Sequence, residues 1–540
     1  MKSLLFIYLI SALSGIVPQP QSVEASKGSF QVRGTVFNCE CSLDKRTQDM
    51  LSEFVDRISL IADKTSSFSS SPSLCADSEN LRGICFFLNS DMSEGEYSIE
   101  VTPKYAKVFA SGYDGFLYAT QTLRQLLPVE IYGTEPAPKA KWVLPCCKIS
   151  DKPRFGYRGL HLDCVRHFFD IEEVYRYLEI MNVYKLNRLH WHLSDDQGWR
   201  VEIKKYPLLT VVGAYRSGTQ IGRDKNSSDG VSYGGFYTQE QIREIVAYAT
   251  KLGITIIPEI DLPGHMLAAL SAYPELGCTG GPYKVWTRWG ISDQVLCPGK
   301  EEMFTFLEGV FDEICELFPS EYIHIGGDEC PKTEWEKCPA CQAKIQELGL
   351  VSDEKASKEQ RLQNYVMARV QKYLALKGRK IIGWDEILEG DLAEGSTIMS
   401  WRGTKGGLKA ASRGFDVIMA PNTYCYIDYA QSTDLSKEPL GITKDPKRAV
   451  TLEKIYGFNP TDGMDEEAAG HILGAQANLW TEYIAPPDHL EYMLLPRLQA
   501  LSEVQWCDPT KKDFARFREA LSNHQLKILE VMGYNYRPLD

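Results

Sequence analysis

Eight short apolar segments of β type recur in the second part of the chain, and most are separated by patterns typical of helices. Because parallel strands need long crossover connections, this alternation predicts a parallel sheet. Eight such units in one domain favour an α/β fold of the closed (β/α)8 TIM barrel type over an open sheet. The predicted strands are Gly159–Leu162, Asn187–Leu193, Thr255–Ile260, Tyr322–Ile325, Lys380–Gly383, Thr397–Trp401, Asp416–Ala420 and Ile472–Leu479. The predicted helices include Ile171–Met181, Gln239–Lys251, Glu301–Phe318 and Glu359–Lys377.

A small domain is expected before the barrel and a helix after it, because 540 residues exceed what a barrel alone needs. The segment before the barrel mixes strand-like stretches at Tyr97–Val101 and Ala106–Ala110 with a helical pattern at Gly115–Leu127, which Pro128 ends. The last part of the chain has a helical pattern at Phe514–Leu529. The expected domains are an N-terminal α+β domain at residues 16–150, the barrel at 151–505 and a C-terminal helix packed on the barrel at 506–540.

The first 15 residues have the pattern of a signal peptide. Lys2 supplies a positive charge, Leu4–Ile10 is a short apolar run, and small residues follow up to Gly15. The run is too short to span a bilayer comfortably, and the alternatives are a short anchor or a buried strand. We expect cleavage near Gly15 and a secreted or periplasmic protein, lysosomal if the source is eukaryotic. No later segment resembles a transmembrane helix.

The charge balance of the chain is acidic, with a formal net charge of −13. Such a balance gives no electrostatic reason to bind nucleic acid or an anionic membrane surface. It also disfavours a polyanionic substrate. The composition therefore argues against a nucleic-acid-binding function.

The 15 cysteines are an odd number, so in an oxidising compartment at least one thiol stays free or pairs between chains. Cys278 and Cys297 bracket a loop rich in Gly, Pro and Trp and are the best candidates for a disulfide. Cys338 and Cys341 form a lone CxxC motif, with Cys330 nearby in the sequence. Since no second CxxC or pair of histidines completes a zinc site, a local disulfide or unpaired thiols are favoured there. The sequence predicts no metal and no cofactor.

Polar and aromatic residues follow nearly every predicted strand, and in barrels of this type the chemistry takes place at the C-terminal ends of the strands. The first strand is flanked by Arg158 and ends at Asp163. The residues at or just after the ends of the other strands are Ser194–Gln197, Glu259 with Asp261 and Gly264–His265, Gly326–Glu329, Trp384–Glu386, Trp401–Gly403, Tyr424 with Tyr426 and Asp428, and Trp480 with Glu482. Together they predict one deep pocket that is rich in carboxylates and lined with tryptophan.

This combination suits a carbohydrate. Tryptophan faces stack on pyranose rings, carboxylates and arginine bind hydroxyl groups, and neighbouring acids keep a proton available for general acid catalysis. An isolated Asp-Glu pair after a strand is usually a turn or a helix N-cap, and a single tryptophan is more often a core residue. The two glycines before Asp328 and Glu329 favour close approach to a ligand instead.

Two other functional classes fit parts of the pattern. His190 and His192 would lie on one face of a strand, as in barrel metallohydrolases, but only His265 and His324 are plausible further ligands. A carbohydrate-binding protein without catalysis would need no Asp-Glu pair at this position. Both alternatives are therefore less favoured than a glycoside hydrolase.

The chain resembles the β-N-acetylhexosaminidases of glycoside hydrolase family 20, from about Ile16 to the C-terminus. Many ordered matches carry the resemblance, which makes chance similarity very improbable. The matching segments are Leu189–Trp199, Pro258–His265, His324–Glu329, Trp384–Glu386 and Asn478–Glu482. Members of this family place a small N-terminal α/β domain before a catalytic (β/α)8 barrel.

The resemblance implies substrate-assisted catalysis with retention of configuration, in which the substrate's 2-acetamido oxygen attacks the anomeric carbon and forms an oxazolinium-type intermediate. Glu329 is then expected to protonate the leaving oxygen and later to activate water. Asp328 is expected to hold the acetamido N–H and stabilise the developing positive charge, and Tyr426 is expected to bind the acetamido oxygen.

The remaining residues implied by the resemblance surround the sugar. The expected wall residues are Trp384, Trp401 and Trp480; the expected hydroxyl-binding residues are Arg158, Asp428 and Glu482; and the expected supporting residues are Asp195 and His265. The implied substrate is an oligosaccharide or glycoconjugate with a terminal β-linked N-acetylglucosamine or N-acetylgalactosamine. Release of a disaccharide on the same fold is the alternative.

Overall fold

The computed structural model describes residues 12–40, 42–70, 82–389 and 395–540. Within them it contains a mixed sheet of seven strands followed by a closed barrel of eight parallel strands. The strands of the mixed sheet are β1 Ser22–Gln31, β2 Val36–Cys39, β3 Ser67–Ser70, β4 Gly83–Leu88, β5 Tyr97–Val101, β6 Tyr105–Ala110 and β7 Val143–Asp151. The barrel strands are β8 Tyr157–Asp163, β9 Arg188–His192, β10 Thr255–Leu262, β11 Tyr322–Gly326, β12 Lys380–Trp384, β13 Thr397–Ser400, β14 Val417–Met419 and β15 Ile472–Ala477.

The barrel confirms the predicted fold class, since each of the eight predicted strands overlaps an observed one. Every barrel strand pairs in parallel with the next one along the chain, and β15 closes the barrel by pairing with β8. In this arrangement the C-terminal ends of all eight strands surround one opening. The residues that follow those strands are therefore brought together.

The helices of the described residues pack around the barrel and on the N-terminal sheet. They are α1 Lys45–Ile61, α2 Tyr113–Leu126, α3 Ile171–Val183, α4 Leu208–Val211, α5 Gln239–Lys251, α6 Leu267–Ala272, α7 Glu301–Leu317, α8 Thr333–Lys337, α9 Pro339–Glu347, α10 Lys358–Leu376, α11 Lys405–Ala411, α12 Leu452–Tyr456, α13 Glu466–Gly470, α14 Pro487–Leu494, α15 Arg497–Trp506, α16 Phe514–Ala520 and α17 Leu526–Met532. Short 3-10 turns lie at Val129–Tyr132, Pro274–Leu276, Asp385–Leu388, Leu435–Lys437, Pro446–Arg448 and Pro509–Lys511.

Local capping explains where the main barrel helices begin. Thr238 before α5 and Ser357 before α10 each form a capping box with a glutamine three residues later. In a capping box the two side chains satisfy backbone N–H groups that the first turn of a helix leaves unpaired. Both helices therefore start at a residue that the sequence specifies locally.

The N-terminal sheet has the strand order β1-β7-β5-β6-β4-β2-β3 and lies against the N-terminal ends of the barrel strands. Lys185, in the turn before β9, is fully buried and donates to Tyr97, to Thr122 and to the Asp151 carboxylate at the end of β7. Trp506 at the end of α15 donates to the same carboxylate. The end of the barrel opposite the predicted pocket is thus covered.

The predicted C-terminal helix is interrupted. A five-residue π-helical segment, Leu521–Gln525, separates α16 from α17. It turns Gln525 inward, where the side-chain amide donates to the backbone of Gly15 and to Gln125. Buried polar contacts with distant parts of the chain accompany the change in helical pitch.

The predicted signal peptide lies mostly outside the described residues, which begin at Ala12. Ile16 and Val17, which follow the expected cleavage position, are fully buried, and the Val17 backbone bonds to Gln125 on α2. In the described part of the chain no helix is long and apolar enough to cross a membrane.

Candidate active site

The loop after β11 carries Asp328 and Glu329 into the opening of the barrel. Gly326 and Gly327 precede them with φ of +61° and +95°, a region that favours glycine. A Cβ on Gly326 would lie 1.6 Å from Oδ1 of Asp261, and the Gly327 N–H donates to that same oxygen. The two glycines are therefore required by both backbone conformation and space.

Glu329 is held in an uncommon backbone conformation. Its φ is +42°, and its N–H donates to the Glu386 carboxylate at 2.9 Å. A positive φ at a residue other than glycine costs free energy, so surrounding contacts must maintain it. The contact with Glu386 anchors the backbone at the position from which the Glu329 side chain enters the opening.

Asp328 and Glu329 differ in exposure. The Asp328 side chain is 12% exposed and that of Glu329 35%. Burial raises the pKa of Asp328 to about 8, although the nearby His265 acts in the opposite direction. Oδ1 of Asp328 is buried and has no hydrogen-bond partner among the described residues. Asp328 thus presents an available oxygen inside the site, while Glu329 lies closer to solvent.

His265 links this pair to a chain of buried charges. Its Nε2 lies 3.7 Å from Glu329 and 4.0 Å from Asp328, and its Nδ1 lies 3.0 Å from Asp195. Burial opposes the positive charge of His265, but the Asp195 carboxylate outweighs it and holds the pKa of the imidazole well above its usual value. A cationic His265 therefore faces both carboxyl groups of the pair.

Asp195 is the centre of this chain of charges. Besides His265, its carboxylate contacts His192 at 3.0 Å and Arg166 at 2.7 Å. Burial alone would raise the pKa of Asp195, but the Arg166 guanidinium and the His265 imidazole hold it well below its usual range. Asp195 is therefore an anion that fixes the orientation of His265.

Aromatic rings form one wall of the opening. Trp384 and Trp480 lie 6.0 Å apart between ring centroids, Tyr426 lies 6.5 Å from Trp480, and Tyr426 stacks on Trp401 at 6.1 Å. Trp384 is fixed because its indole N–H donates to Glu259. The indole nitrogen of Trp401 is buried without a partner among the described residues. The wall thus combines rigid faces with one available N–H donor.

Glu482 and Asp428 each lie two residues after an aromatic residue of the wall, Trp480 and Tyr426 respectively. Burial raises the pKa of Glu482, and the Arg166 guanidinium opposes that shift. Burial, together with the negative charge of Glu482, raises the pKa of Asp428 well above its usual value. Oδ1 of Asp428 has no partner among the described residues. Two carboxyl groups and one guanidinium are therefore available here to polar groups of a ligand.

The sequence and the fold match one family throughout. The model of the glycosyl hydrolase family 20 catalytic domain matches residues 155–509, and that of glycosyl hydrolase family 20, domain 2, matches residues 13–152. The chain belongs to glycosyl hydrolase family 20.

Relatives with known names and structures support this membership. A β-hexosaminidase of Porphyromonas gingivalis is 39% identical over 96% of this chain, which spans 64% of that relative's length. The exo-β-N-acetylglucosaminidase of Vibrio harveyi, solved in complex with N-acetylglucosamine, has a TM-score of 0.83 and 34% identity over 97% of this chain and 78% of its own. The β-N-acetylhexosaminidase of Streptomyces coelicolor has a TM-score of 0.82 and 28% identity over 98% of both chains.

Arg158 does not lie at the opening of this family 20 barrel, so its prediction as a hydroxyl-binding residue is wrong. It is the second residue of β8, at the N-terminal end of the barrel, and is 2% exposed. Its guanidinium donates to Phe155, Lys185 and Tyr118 and lies 5.1 Å from the ring centroids of Tyr118 and Trp506. Arg158 therefore stabilises the contact between the N-terminal domain and the barrel.

Arg166 occupies the place that was predicted for Arg158. It lies in the loop after β8, bonds to Asp163 and Asp195, and its guanidinium lies 4.9 Å from the Trp480 ring centroid. The direction of β8 could have identified Arg166 from the sequence. Arg166 follows the C-terminal end of the strand, where the opening lies, whereas Arg158 is near its N-terminal start.

Glu386 and Glu259 are also functional candidates that the sequence did not single out. Glu386 was assigned only as part of the polar end of β12, yet it anchors the backbone of Glu329. Glu259 is fully buried and contacts His190, His192 and His324 in addition to Trp384. Both act through contacts between different strands, which no local pattern reveals.

The histidines predicted as an alternative metal site form a hydrogen-bonded layer beneath the wall. His190 and His192 do share a strand face, and both contact Oε2 of Glu259. In the described residues, three groups in this region have ligand atoms within 4.8 Å of one another: His161, His190 and Glu259; Asp195, Asp196 and His265; and Asp261, His265 and Asp328. His192 belongs to none of them, which weakens the interpretation of His190 and His192 as a metal pair.

Cys278 and Cys297, the predicted disulfide pair, are free thiols in the structure. Both lie with Cys338 and Cys341, and the four sulfur atoms are within 4.8 Å of one another. The fold therefore supplies the second pair of cysteines that the CxxC motif of Cys338 and Cys341 lacks in the sequence.

Proposed function

We propose that this chain is a retaining exo-β-N-acetylhexosaminidase that removes terminal, non-reducing β-linked N-acetylglucosamine or N-acetylgalactosamine. Membership of family 20 and the names of its relatives support this activity. The observation that carries the proposal is the unequal placement of two adjacent carboxyl groups, with Asp328 buried beside an aromatic wall and Glu329 near solvent. Such a pair suits two different tasks at one anomeric carbon.

Glu329 is the proposed acid and base. In the first step it donates a proton to the glycosidic oxygen while the substrate's 2-acetamido oxygen bonds to C1 and the C1–O bond breaks. In the second step water attacks C1, the oxazolinium ring opens, and the water proton goes to Glu329. Two displacements at C1 retain the configuration, and the protein forms no covalent bond to the sugar.

Asp328 is the proposed partner of the acetamido N–H. Its Oδ1 has no partner among the described residues and lies in the site. Asp328 is also close enough to Tyr426 for a negative charge on it to raise the pKa of the tyrosine. In its ionised form Asp328 would stabilise the positive charge that develops on the oxazolinium ring. Burial raises the pKa of Tyr426 well above its usual value, so its hydroxyl stays protonated and can donate to the acetamido oxygen.

Arg166, Glu482 and Asp428 are the proposed partners of the sugar hydroxyl groups. Three of the five guanidinium N–H groups of Arg166 are used by Gln197, Asp163 and Asp195. The remaining donors, together with the two carboxyl groups, can bind a pair of hydroxyls in a directional manner. Trp480 beneath Arg166 supplies an apolar face for the ring.

A panel of 4-nitrophenyl β-glycosides tests this function. The 2-acetamido glucoside and galactoside should be hydrolysed at least about 10³-fold faster than the glucoside, since the plain sugar lacks the nucleophile. NMR of the first product should show the β-anomer. Equal rates with and without the acetamido group would contradict the mechanism, and activity only on a disaccharide glycoside would replace the exo-acting assignment.

We also propose that the mature protein begins near Gly15 and acts outside the cytoplasm. The amino-terminal pattern of Lys2 and Leu4–Ile10 supports cleavage there. Mass spectrometry of the protein isolated from its source cells would test it, and a chain that retains Met1 to Gly15 would contradict it.

A further inference from the structure

We propose that Cys278, Cys297, Cys338 and Cys341 bind one structural zinc ion, which joins the third and fourth βα loops of the barrel behind the catalytic pair. The sulfur atoms of Cys297 and Cys341 are 3.5 Å apart, those of Cys297 and Cys338 are 3.7 Å apart, and those of Cys278 and Cys341 are 3.8 Å apart. A tetrahedron with Zn–S bonds of about 2.3 Å has S···S edges of about 3.8 Å. Three of the six edges therefore already lie close to the length expected for a tetrathiolate site, and all six are within 4.8 Å.

The distances do not single out any pair of cysteines for a disulfide. Cys297 is close to both Cys338 and Cys341, and Cys341 is also close to Cys278. A metal uses all four sulfur atoms at once. When it binds, the thiols release their protons and the thiolates coordinate the ion, with no change of oxidation state.

The backbone holds the four cysteines in place from two directions. Gly277 and Leu296 form an antiparallel bridge that brings the segments of Cys278 and Cys297 side by side. Cys338 is the N-cap of α9, and Cys341 lies in its first turn, where unpaired N–H groups and the helix dipole favour negative charge on sulfur. The CxxC spacing of Cys338 and Cys341 is typical of zinc ligands.

The segment after Cys297 and the start of α9 pack so closely at Gly299 that only glycine fits there. A Cβ on Gly299 would lie 2.3 to 2.6 Å from backbone atoms of Ala340 and Cys341. The Gly299 N–H also lowers the pKa of the Cys297 and Cys341 thiols, so it favours negative charge on both sulfur atoms. Trp335 adds a bond from its indole nitrogen to the Leu296 carbonyl. The site is thus built into the packing of both loops.

The position of the cluster gives the zinc a role in the active site. Cys330 directly follows Glu329 and lies in the same apolar cluster as Cys297, Cys338 and Cys341. The loop between Cys278 and Cys297 reaches the pocket, where Trp286 and Ser292 donate backbone N–H groups to Asp196. We infer that the zinc holds this loop and the segment after Glu329 in one arrangement.

Metal analysis of the full-length protein tests the proposal, independently of the proposed function. Protein purified without chelators or added thiols should contain about one zinc per chain. Replacing the zinc with Co²⁺ should give intense near-ultraviolet thiolate-to-cobalt absorption. Cys338→Ser and Cys278→Ser should each lose most of the zinc, whereas Cys315→Ser, which removes a thiol on α7 outside the cluster, should keep it.

Metal analysis and peptide mapping of the wild-type protein and the cysteine variants can also contradict the proposal. Peptide mapping of metal-free protein with disulfides among the four cysteines would replace the zinc site by two covalent links. Zinc that stays bound in both Cys338→Ser and Cys278→Ser would place it elsewhere, and iron in place of zinc would refute the identity of the metal. If a variant fails to fold, the metal content and thiol count of the wild-type protein still decide between these outcomes.

Discussion

The two ends of the barrel both contain buried charges but use them differently. At the N-terminal end, Arg158 and Lys185 bond to carbonyls, hydroxyls and the Asp151 carboxylate, and all of their nitrogens have partners. At the C-terminal end, oxygens of Asp328 and Asp428 are buried without partners among the described residues. Buried polar groups normally find partners within the protein, so groups that do not are candidates to bind a ligand.

This difference shows that burial alone does not identify a functional charge. Arg158 and Arg166 are both buried arginines next to a tryptophan, and they lie near the two ends of the same strand. The one at the N-terminal end contacts neutral groups and joins two domains. The one after the C-terminal end contacts Asp163 and Asp195, and Asp195 in turn contacts His265 beside the proposed catalytic pair. The direction of β8 therefore decides which arginine joins the two domains and which one lies at the opening.

Removing the proton donor should have the largest effect. In Glu329→Gln the amide cannot protonate the leaving oxygen, so kcat on a 2-acetamido glycoside with a poor leaving group should fall by about 10²- to 10⁴-fold. Steady-state kinetics measure this, and circular dichroism and the melting temperature should match the wild type. Activity within a factor of about three of the wild type would refute the role of Glu329.

A matched pair of conservative changes compares the two arginines directly. Arg166→Lys loses the planar geometry that meets two carboxylates and a sugar, so kcat/KM should fall by about 10- to 100-fold. Arg158→Lys should keep kcat/KM but lower the free energy of unfolding by about 1 to 3 kcal/mol, because buried carbonyls lose donors. Kinetics and denaturant unfolding of both variants make the comparison, and equal effects on activity would contradict it.

The raised pKa of Asp328 predicts a pH-dependent stability. The folded protein keeps a proton on Asp328 that the unfolded chain releases between the usual pKa of 3.8 and about 8. The stabilisation is therefore complete below about pH 4 and is lost as pH rises towards about 8, by up to about 1.4 kcal/mol per pH unit. Asp328→Asn cannot ionise, so its unfolding free energy relative to wild type should increase with pH.

Denaturant unfolding of both proteins at about pH 5 and about pH 7.5 measures this change. The same difference between the two proteins at both pH values would show that Asp328 does not titrate in this range. Glu438→Gln, at a buried carboxylate that pairs with Arg537, serves as the control for loss of a carboxylate.

The smallest expected effect concerns the aromatic wall. Trp401→Phe removes apolar area and the free indole N–H, so KM for the 2-acetamido substrate should rise several-fold, equivalent to about 1 kcal/mol. Trp142→Phe, a buried tryptophan of the N-terminal domain, should lower stability and leave KM unchanged. A similar rise in KM for both variants would show that the wall has no specific part in binding.

Much of the fold could be predicted because its signals are local. The alternation of strand and helix patterns predicted all eight barrel strands, and the strand ends predicted the position of Asp328, Glu329 and the tryptophans. Arg166 lies close to Asp163 in the sequence but was not predicted as a site residue. Which end of the barrel an arginine near β8 reaches depends on the direction of that strand. The π-helical segment near Gln525 could not be predicted, since contacts with Gly15 and Gln125 accompany it.

The sequence by itself determined the fold class, the family resemblance and the candidates for the catalytic pair, because strand periodicity and short motifs depend on neighbouring residues. Only the tertiary structure decided which arginine lies at the opening and which cysteines meet. Cys341 contacts Cys278 across 63 positions and Cys297 across 44. Closure of the barrel creates such contacts by bringing successive loops together, and residues so far apart carry no local pattern that records them.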